Sequence, residues 1–169
     1  MSESFNGSLK INVQGTLVSS LNLGSSNYSL NYSQSNSLVN GTGANQSNIV
    51  FANTYTISAS GSQNIDLYGG LTDVYGSTIN FTKIKGLVIC ASSSNTNNVL
   101  VGGAASNAFF TWCDAATDQI TVRPGGTFAL FAPDSTAYAV TSGTADILKI
   151  ANSGSGTSVV YDIILIGVQ

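Results

Sequence analysis

At 169 residues with a net charge of −3, the chain carries only 8% charged residues beside 43% hydrophobic ones. About a quarter of an ordinary soluble domain is charged, so the coat here is neutral Ser, Thr, Asn, Gln and Gly, which suits a surface lying against other protein. The five basic residues, Lys10, Lys83, Lys85, Arg123 and Lys149, are scattered, which excludes a phosphate-binding face for nucleic acid, and no apolar run reaches the ~20 residues that span a membrane.

Residues 1–8 read as a polar lead-in without the basic and apolar parts of a secretory signal, so synthesis in a cytosol is expected. Leu9, Ile11, Val13 and Leu17 then alternate with Lys10, Asn12, Gln14 and Thr16. That is the period-2 pattern of a strand with one apolar face, with a bulge or bend at Gly15. From Ser19 to Ser47 Ser, Asn and Gly dominate. Tyr28, Leu30 and Tyr32 alternate with Ser29, Asn31 and Ser33 in a second strand, and Asn36–Gln46 reads as loop. No charge occurs between Lys10 and Asp66, whereas a solvated disordered tail of that length usually carries charge. Residues 1–47 are therefore expected to be an ordered arm packed on a neighbouring subunit, with Leu9, Ile11, Val13, Leu17, Tyr28, Leu30 and Tyr32 as its contact residues. The rival reading is a neutral Ser/Asn loop region.

Residues 48–169 read as one antiparallel β-sandwich. Ile49–Ser58 forms a strand, bent near Asn53, and Ile65 to Leu67 a short one ending at Gly69-Gly70. Leu71–Ser77 is a loop or a single helical turn. Ile79–Cys90 runs through Leu87-Val88-Ile89-Cys90, apolar enough to predict a strand covered on both faces. Ser92–Asn98 is a loop of turn formers. Val99–Gly103, Ala108–Trp112 and Gln119–Val122 follow as strands, then a type II turn with Pro124-Gly125 at its centre. Phe128–Ala132, Ile147–Ile150 and Ser158–Ile166 complete some ten strands at roughly 8–12-residue spacing. A jelly roll is the expected topology, because closing two sheets on each other hides the edges that bare strands expose.

The chain contains no histidine, which removes the commonest general base, the commonest metal ligand and every His-based triad. No Gly-x-Ser-x-Gly elbow stands between a strand and a helix. The acids are Glu3, Asp66, Asp73, Asp114, Asp118, Asp134, Asp146 and Asp162. Most sit at strand ends, where Asp closes turns by bonding the backbone, rather than as a catalytic pair. Asp114 and Asp118 are close enough in sequence to share a Ca²⁺ with backbone carbonyls, but no EF-hand pattern surrounds them. No enzymatic activity, cofactor or metal is expected. Cys90 ends an apolar run and reads as a small buried thiol. Its pairing with Cys113 depends on strand placement, and cytosolic synthesis favours reduced thiols. Phe109, Phe110 and Trp112, with Tyr28 and Tyr32, read as core or subunit interface, with stacking on sugar rings as the alternative.

The pattern Ile120-x-Val122-x-Pro124-Gly125-Gly126-x-Phe128-x-Leu130-x-x-Pro133 is followed by Tyr138-x-Val140-Thr141-x-Gly143-Thr144-Ala145-Asp146-x-Leu148-x-Ile150. With Phe81–Leu87 upstream and Tyr161-Asp162-Ile163 at the end, it resembles small β-sandwich virion proteins of tailed bacteriophages over roughly residues 63–168. Residues 1–62 match no part of that pattern. The resemblance implies a capsid cement or decoration protein, a homotrimer on the outer surface of the phage head whose partner is the major capsid protein. It supplies no individual functional residue. A glycan-reading module of a head or tail fibre is the alternative.

Overall fold

A computed structural model describes residues 4–169; residues 1–3, which open the expected lead-in and include Glu3, lie outside the described residues. Among the described residues there is no helix, and the sheets are antiparallel except for one two-residue parallel pairing. The strands are β1 (Gly7–Ser20), β2 (Ser25–Asn40), β3 (Gln46–Ser47), β4 (Ile49–Ile57), β5 (Ser62–Asp66), β6 (Tyr68–Thr72) and β7 (Thr78–Asn80). After them come β8 (Lys83–Ala91), β9 (Val99–Gly102), β10 (Gln119–Val122), β11 (Thr127–Phe131), β12 (Tyr138–Ala139), β13 (Ile147–Asn152) and β14 (Val159–Val168).

β1 and β2 form a hairpin paired without a slip from Gly7↔Leu38 to Ser20↔Ser25. Its turn is closed by the Leu21 N–H, which donates to Gly24 O at 3.1 Å. At ~3.3 Å per residue the hairpin is about 45 Å long. The bulge expected at Gly15 is absent: Gly15 faces Leu30 in register, so each face of β1 keeps one parity throughout. The expected loop at Asn36–Gln46 is shorter than its composition suggests. Asn36–Asn40 continues β2 because Gly7–Leu9 lie opposite Asn36–Leu38, and Gln46 and Ser47 of β3 pair with Val39 and Asn40, taking up its backbone bonds.

Two larger sheets make up the body. One has the order β11-β8-β14-β4, with β12 added to β8; the other has the order β10-β9-β13-β5. β14 alternates buried Val159, Tyr161, Ile163 and Leu165 with Val160, Asp162, Ile164 and Ile166, so one side faces inward. There it joins Leu87 and Ile89 of β8. Val99, Val101, Leu148 and Ile150 of the other sheet belong to the same cluster. Burying a Leu, Ile or Val side chain contributes roughly 1.5–3 kcal/mol, and this shared core holds the two sheets together. The Tyr161 ring stacks at 5.8 Å on Tyr55, and its hydroxyl donates to Gln63 Oε1 at 3.1 Å.

The Arg123–Gly126 turn forms as expected: Gly125 takes φ +73°, and the Gly126 N–H donates to Arg123 O at 2.8 Å. Elsewhere the chain departs from its pattern. Leu71–Ser77 makes no helical turn: Leu71 and Thr72 end β6, and residues 73–77 are the expected loop, a hairpin turn closed by the Asp73 carboxylate, which accepts from the N–H groups of Tyr75 and Ser77. β4 shows no bend at Asn53, which pairs in register with Ile163. Ala108–Trp112 is not a strand. Phe109 is buried, Phe110 is exposed, and the Trp112 indole N–H turns back to Phe109 O at 2.9 Å while its ring rests on Phe128. Tight local turns there displaced the period-2 geometry that the aromatics suggested.

Candidate interaction surface

Register places the side chains of the arm. Val13 faces Tyr32 and Leu17 faces Tyr28, so Leu9, Ile11, Val13, Leu17, Tyr28, Leu30 and Tyr32 all fall on one face. Asn12, Gln14, Thr16, Asn27, Ser29, Asn31 and Ser33 fall on the other, with Val18 as the apolar exception. The seven residues expected to make contacts therefore form one surface. Its exposure rises along the arm. Leu38 at the root is buried, Leu9 is half-buried, and Ile11, Leu17 and Tyr28 are 56%, 71% and 65% exposed. From Ile11 outward, on the order of 600 Å² of apolar surface stands open, at ~100 Å² for each half-exposed large side chain. That is the size of the largest apolar patch on a typical monomer, and such patches mark contact sites. A two-stranded hairpin is marginal in water without something against its apolar face.

The root of the arm is rigidly tied to the body. β3 pairs with the end of β2, the Asn45 N–H donates to Pro133 O at 2.6 Å, and Ser47 Oγ donates to Gly167 O at 2.5 Å. Lys85 completes the tie. It is fully buried in β8, and its ammonium donates to Gly43 O at 3.2 Å and to the backbone carbonyl of Asp134. Burial pulls its pKa below the ordinary lysine value; the negative charge of Asp134 opposes that shift and Lys83 adds to it. Asp134 is itself held below the ordinary carboxylate value, first by the N–H groups of Ala137 and Thr136.

A second apolar surface lies on the outer side of the β11-β8-β14-β4 sheet. The registers align Ala52, Ile164, Val88 and Ala129 in one row across the four strands, and Val50, Ile166, Gly86 and Phe131 in the next. A third row, Thr54, Asp162, Cys90 and Thr127, is polar at its outer ends, and Thr54 Oγ1 donates to Asp162 Oδ1 at 2.6 Å. The expectation that Leu87–Cys90 is covered on both faces is thus corrected. Leu87 and Ile89 are buried, but Val88 and Cys90 point outward and are only half-covered, so Cys90 is not the buried thiol its run suggested. Leu9 seats on Gly86, where an added Cβ would come within 2.8 Å of its Cδ1. Beyond that contact the arm and the sheet diverge. They leave a groove of about 730 Å³ with Leu9 and Ile11 on one wall and Val88, Ala129 and Phe131 on the other.

The polar chemistry elsewhere is local. Asp66, Asp73, Asp118 and Asp134 each accept from backbone N–H groups two to four residues on or back, closing turns as expected. Asp114 and Asp118 do not assemble a larger cluster: among the described residues no three Cys, Asp or Glu side chains come together as metal ligands. Cys90 and Cys113 are both free thiols. Burial, and then the carboxylates of Asp118 and Asp114, push the Cys113 pKa up, while the backbone at Ala115 acts the other way. Reading the sequence missed both the outer rows and the Lys85 tie. The available signals were apolar residues at both parities of β14 and a lone lysine within the apolar Ile84–Cys90 run. No family model and no curated protein sequence matches the chain.

Proposed function

We propose that the chain is a structural virion protein: a capsid decoration protein of a tailed bacteriophage that binds the outer surface of the head as a homotrimer and bridges neighbouring major capsid subunits. The observation that carries this reading is the tethered arm, whose apolar face from Ile11 outward is left exposed by the described residues. A rooted projection about 45 Å long with a polar back, charged at Lys10 near its root, is suited to reaching across to an adjacent protein. Several such arms engaged together gain affinity by raising each other's effective concentration. The body is read as a single jelly-roll sandwich. Supporting that reading, β4, β5, β8, β9, β10, β11, β13 and β14 distribute as β11-β8-β14-β4 and β10-β9-β13-β5 around one core, the order of paired Greek keys. The protein acts through surface area, with no catalytic residue and no cofactor.

Deleting residues 2–40 tests the reading. The body is expected to keep its cooperative melt while occupancy on capsids stripped of the protein falls at least a hundredfold. Full occupancy by the truncated chain refutes the role of the arm. The alternative, a glycan-binding module of a head or tail fibre, draws on Tyr28 and Tyr32 on the arm face and on Tyr75, which stands 78% exposed on the turn braced by Asp73. A glycan array separates the two: a decoration protein gives a flat response, and a reproducible sugar preference lost in Tyr75→Ala and Tyr28→Ala supports the alternative.

A further inference from the structure

We propose that the apolar face of the arm is covered by a second copy of this chain, lying across the two apolar rows on the outer face of that copy's β11-β8-β14-β4 sheet. This names the partner of the surface described above and rests on reading that surface as a contact site; it does not depend on the virion setting.

Three observations carry it. First, the two apolar surfaces match in kind. Both are faces of β-sheet, built from Leu, Ile, Val, Tyr, Phe and Ala, and neither apolar stretch contains a charge. Sheet faces of this sort pack at about 10 Å. The rows extend over four strands, about 15–20 Å across at ~4.8 Å per strand, which is wide enough to seat a two-stranded arm. Second, the chain's own two surfaces are held apart. The ties at Lys85, Asn45 and Ser47 fix the root, Leu9 seats on Gly86, and a groove of about 730 Å³ separates Ile11 from Val88, Ala129 and Phe131. Third, the area suffices. Two reciprocal exchanges supply it: an arm face of on the order of 600 Å² meets sheet rows that expose on the order of half as much, since Gly86 is buried and Val88, Ile166 and Phe131 are half-covered, so each exchange buries about 900 Å² and the pair about 1,800 Å², within the range of a specific interface.

The test uses the full chain and two variants, one per surface. Leu17→Glu with Tyr28→Glu puts charge on the arm face, and Ile164→Glu puts charge in the sheet rows. Sedimentation equilibrium from 1 to 100 µM is expected to show self-association of the wild type, weakened at least tenfold in each variant. Mixing the two variants restores association, because one supplies an intact arm and the other an intact sheet. A wild type that stays monomeric at 100 µM overturns the inference. So does an Ile164→Glu chain that associates like the wild type, since the arms then meet something other than the sheet. If Ile164→Glu does not fold, the Cys90 thiol reports instead. It adjoins the apolar rows, so in a Cys113→Ser chain its reaction with a maleimide is expected to slow at least tenfold between 1 and 100 µM, and an unchanged rate overturns the proposal. Failure here is distinct from failure of the proposed function. A monomer that still decorates capsids sinks the copy-to-copy contact and the homotrimer but leaves the capsid role standing, and an associating protein that ignores capsids sinks only the virion role.

Discussion

Replacing Lys85 by Met removes the one charged side chain buried at the arm root and keeps most of its volume. Its ammonium holds two backbone carbonyls, those of Gly43 and Asp134, from the loops either side of the arm root. Hydrogen bonds from a charged donor are worth roughly 1.5–3 kcal/mol each; Gly43 is half-buried and Asp134 exposed, so water takes up part of the loss. Against that loss, the variant no longer buries an ammonium, a penalty of several kcal/mol. We expect the loss of both ties to dominate, for a net destabilisation of about 2 kcal/mol. For a chain of this size that is a fall of about 4–8 °C in melting temperature, with proteolysis appearing first at residues 41–47. Lys83→Met is the control: its Nζ reaches Ser135 O at 2.7 Å from an exposed position, and surface changes of that kind stay within about 0.5 kcal/mol. The pH dependence gives an independent check. With the folded pKa of Lys85 below 10.5, the unfolded chain binds more protons between those two values. This group therefore makes stability rise with pH across that window, and a neutral amine still has two N–H groups for the two carbonyls. Lys85→Met abolishes that rise. A variant as stable as the wild type, with the same pH profile, refutes the tie.

Two further outcomes follow from buried titratable groups. Tyr161 is fully buried, and burial, then Tyr55, raise its pKa far above the ordinary value of 10. Its contribution is complete below pH 10 and is lost at up to ~1.4 kcal/mol per pH unit above it, as the unfolded tyrosine ionises. Tyr161→Phe should lose about 1 kcal/mol at pH 8, from the bond to Gln63, yet fall less steeply than the wild type between pH 10 and 11.5 in denaturant titrations; parallel profiles contradict this. Cys113, whose pKa is pushed up for the reasons above, should react with a disulfide reagent at pH 7.5 more slowly than a cysteine in the unfolded chain. Equal rates remove the stated cause.

Period-2 alternation made the arm legible because each strand of the hairpin has one polar and one apolar face, so parity alone sorted Leu9, Ile11, Val13 and Leu17 from their neighbours. The same parity sorted Tyr28, Leu30 and Tyr32, and the unbroken register put both sets on one side. Composition misled where backbone pairing overrode it. Asn36–Asn40 looks like loop but has a partner strand, and Ala108–Trp112 looks like strand but has only an isolated bridge at Ala108. Lys85 was illegible for a different reason. Its acceptors are main-chain carbonyls 42 and 49 residues away, and carbonyls leave no mark in a sequence.

The outer rows mark the deeper boundary of what alternation can say. Ile163-Ile164-Leu165-Ile166 is apolar at both parities, and so is Leu87-Val88-Ile89, which in a strand ordinarily means cover on both faces. Here one face is covered by the second sheet, while on the other Leu9 seats on Gly86 and, among the described residues, Val50 and Ile164 stay open. The pattern predicts a cover on the outer face that the described residues do not supply. A protein with so little charge has few means of keeping an open apolar sheet face from indiscriminate association, and this one carries two such faces, on the arm and on the body. Seating the arm of one copy on the sheet of another covers both with a single contact. That economy is why charge placed on either face should have the same consequence.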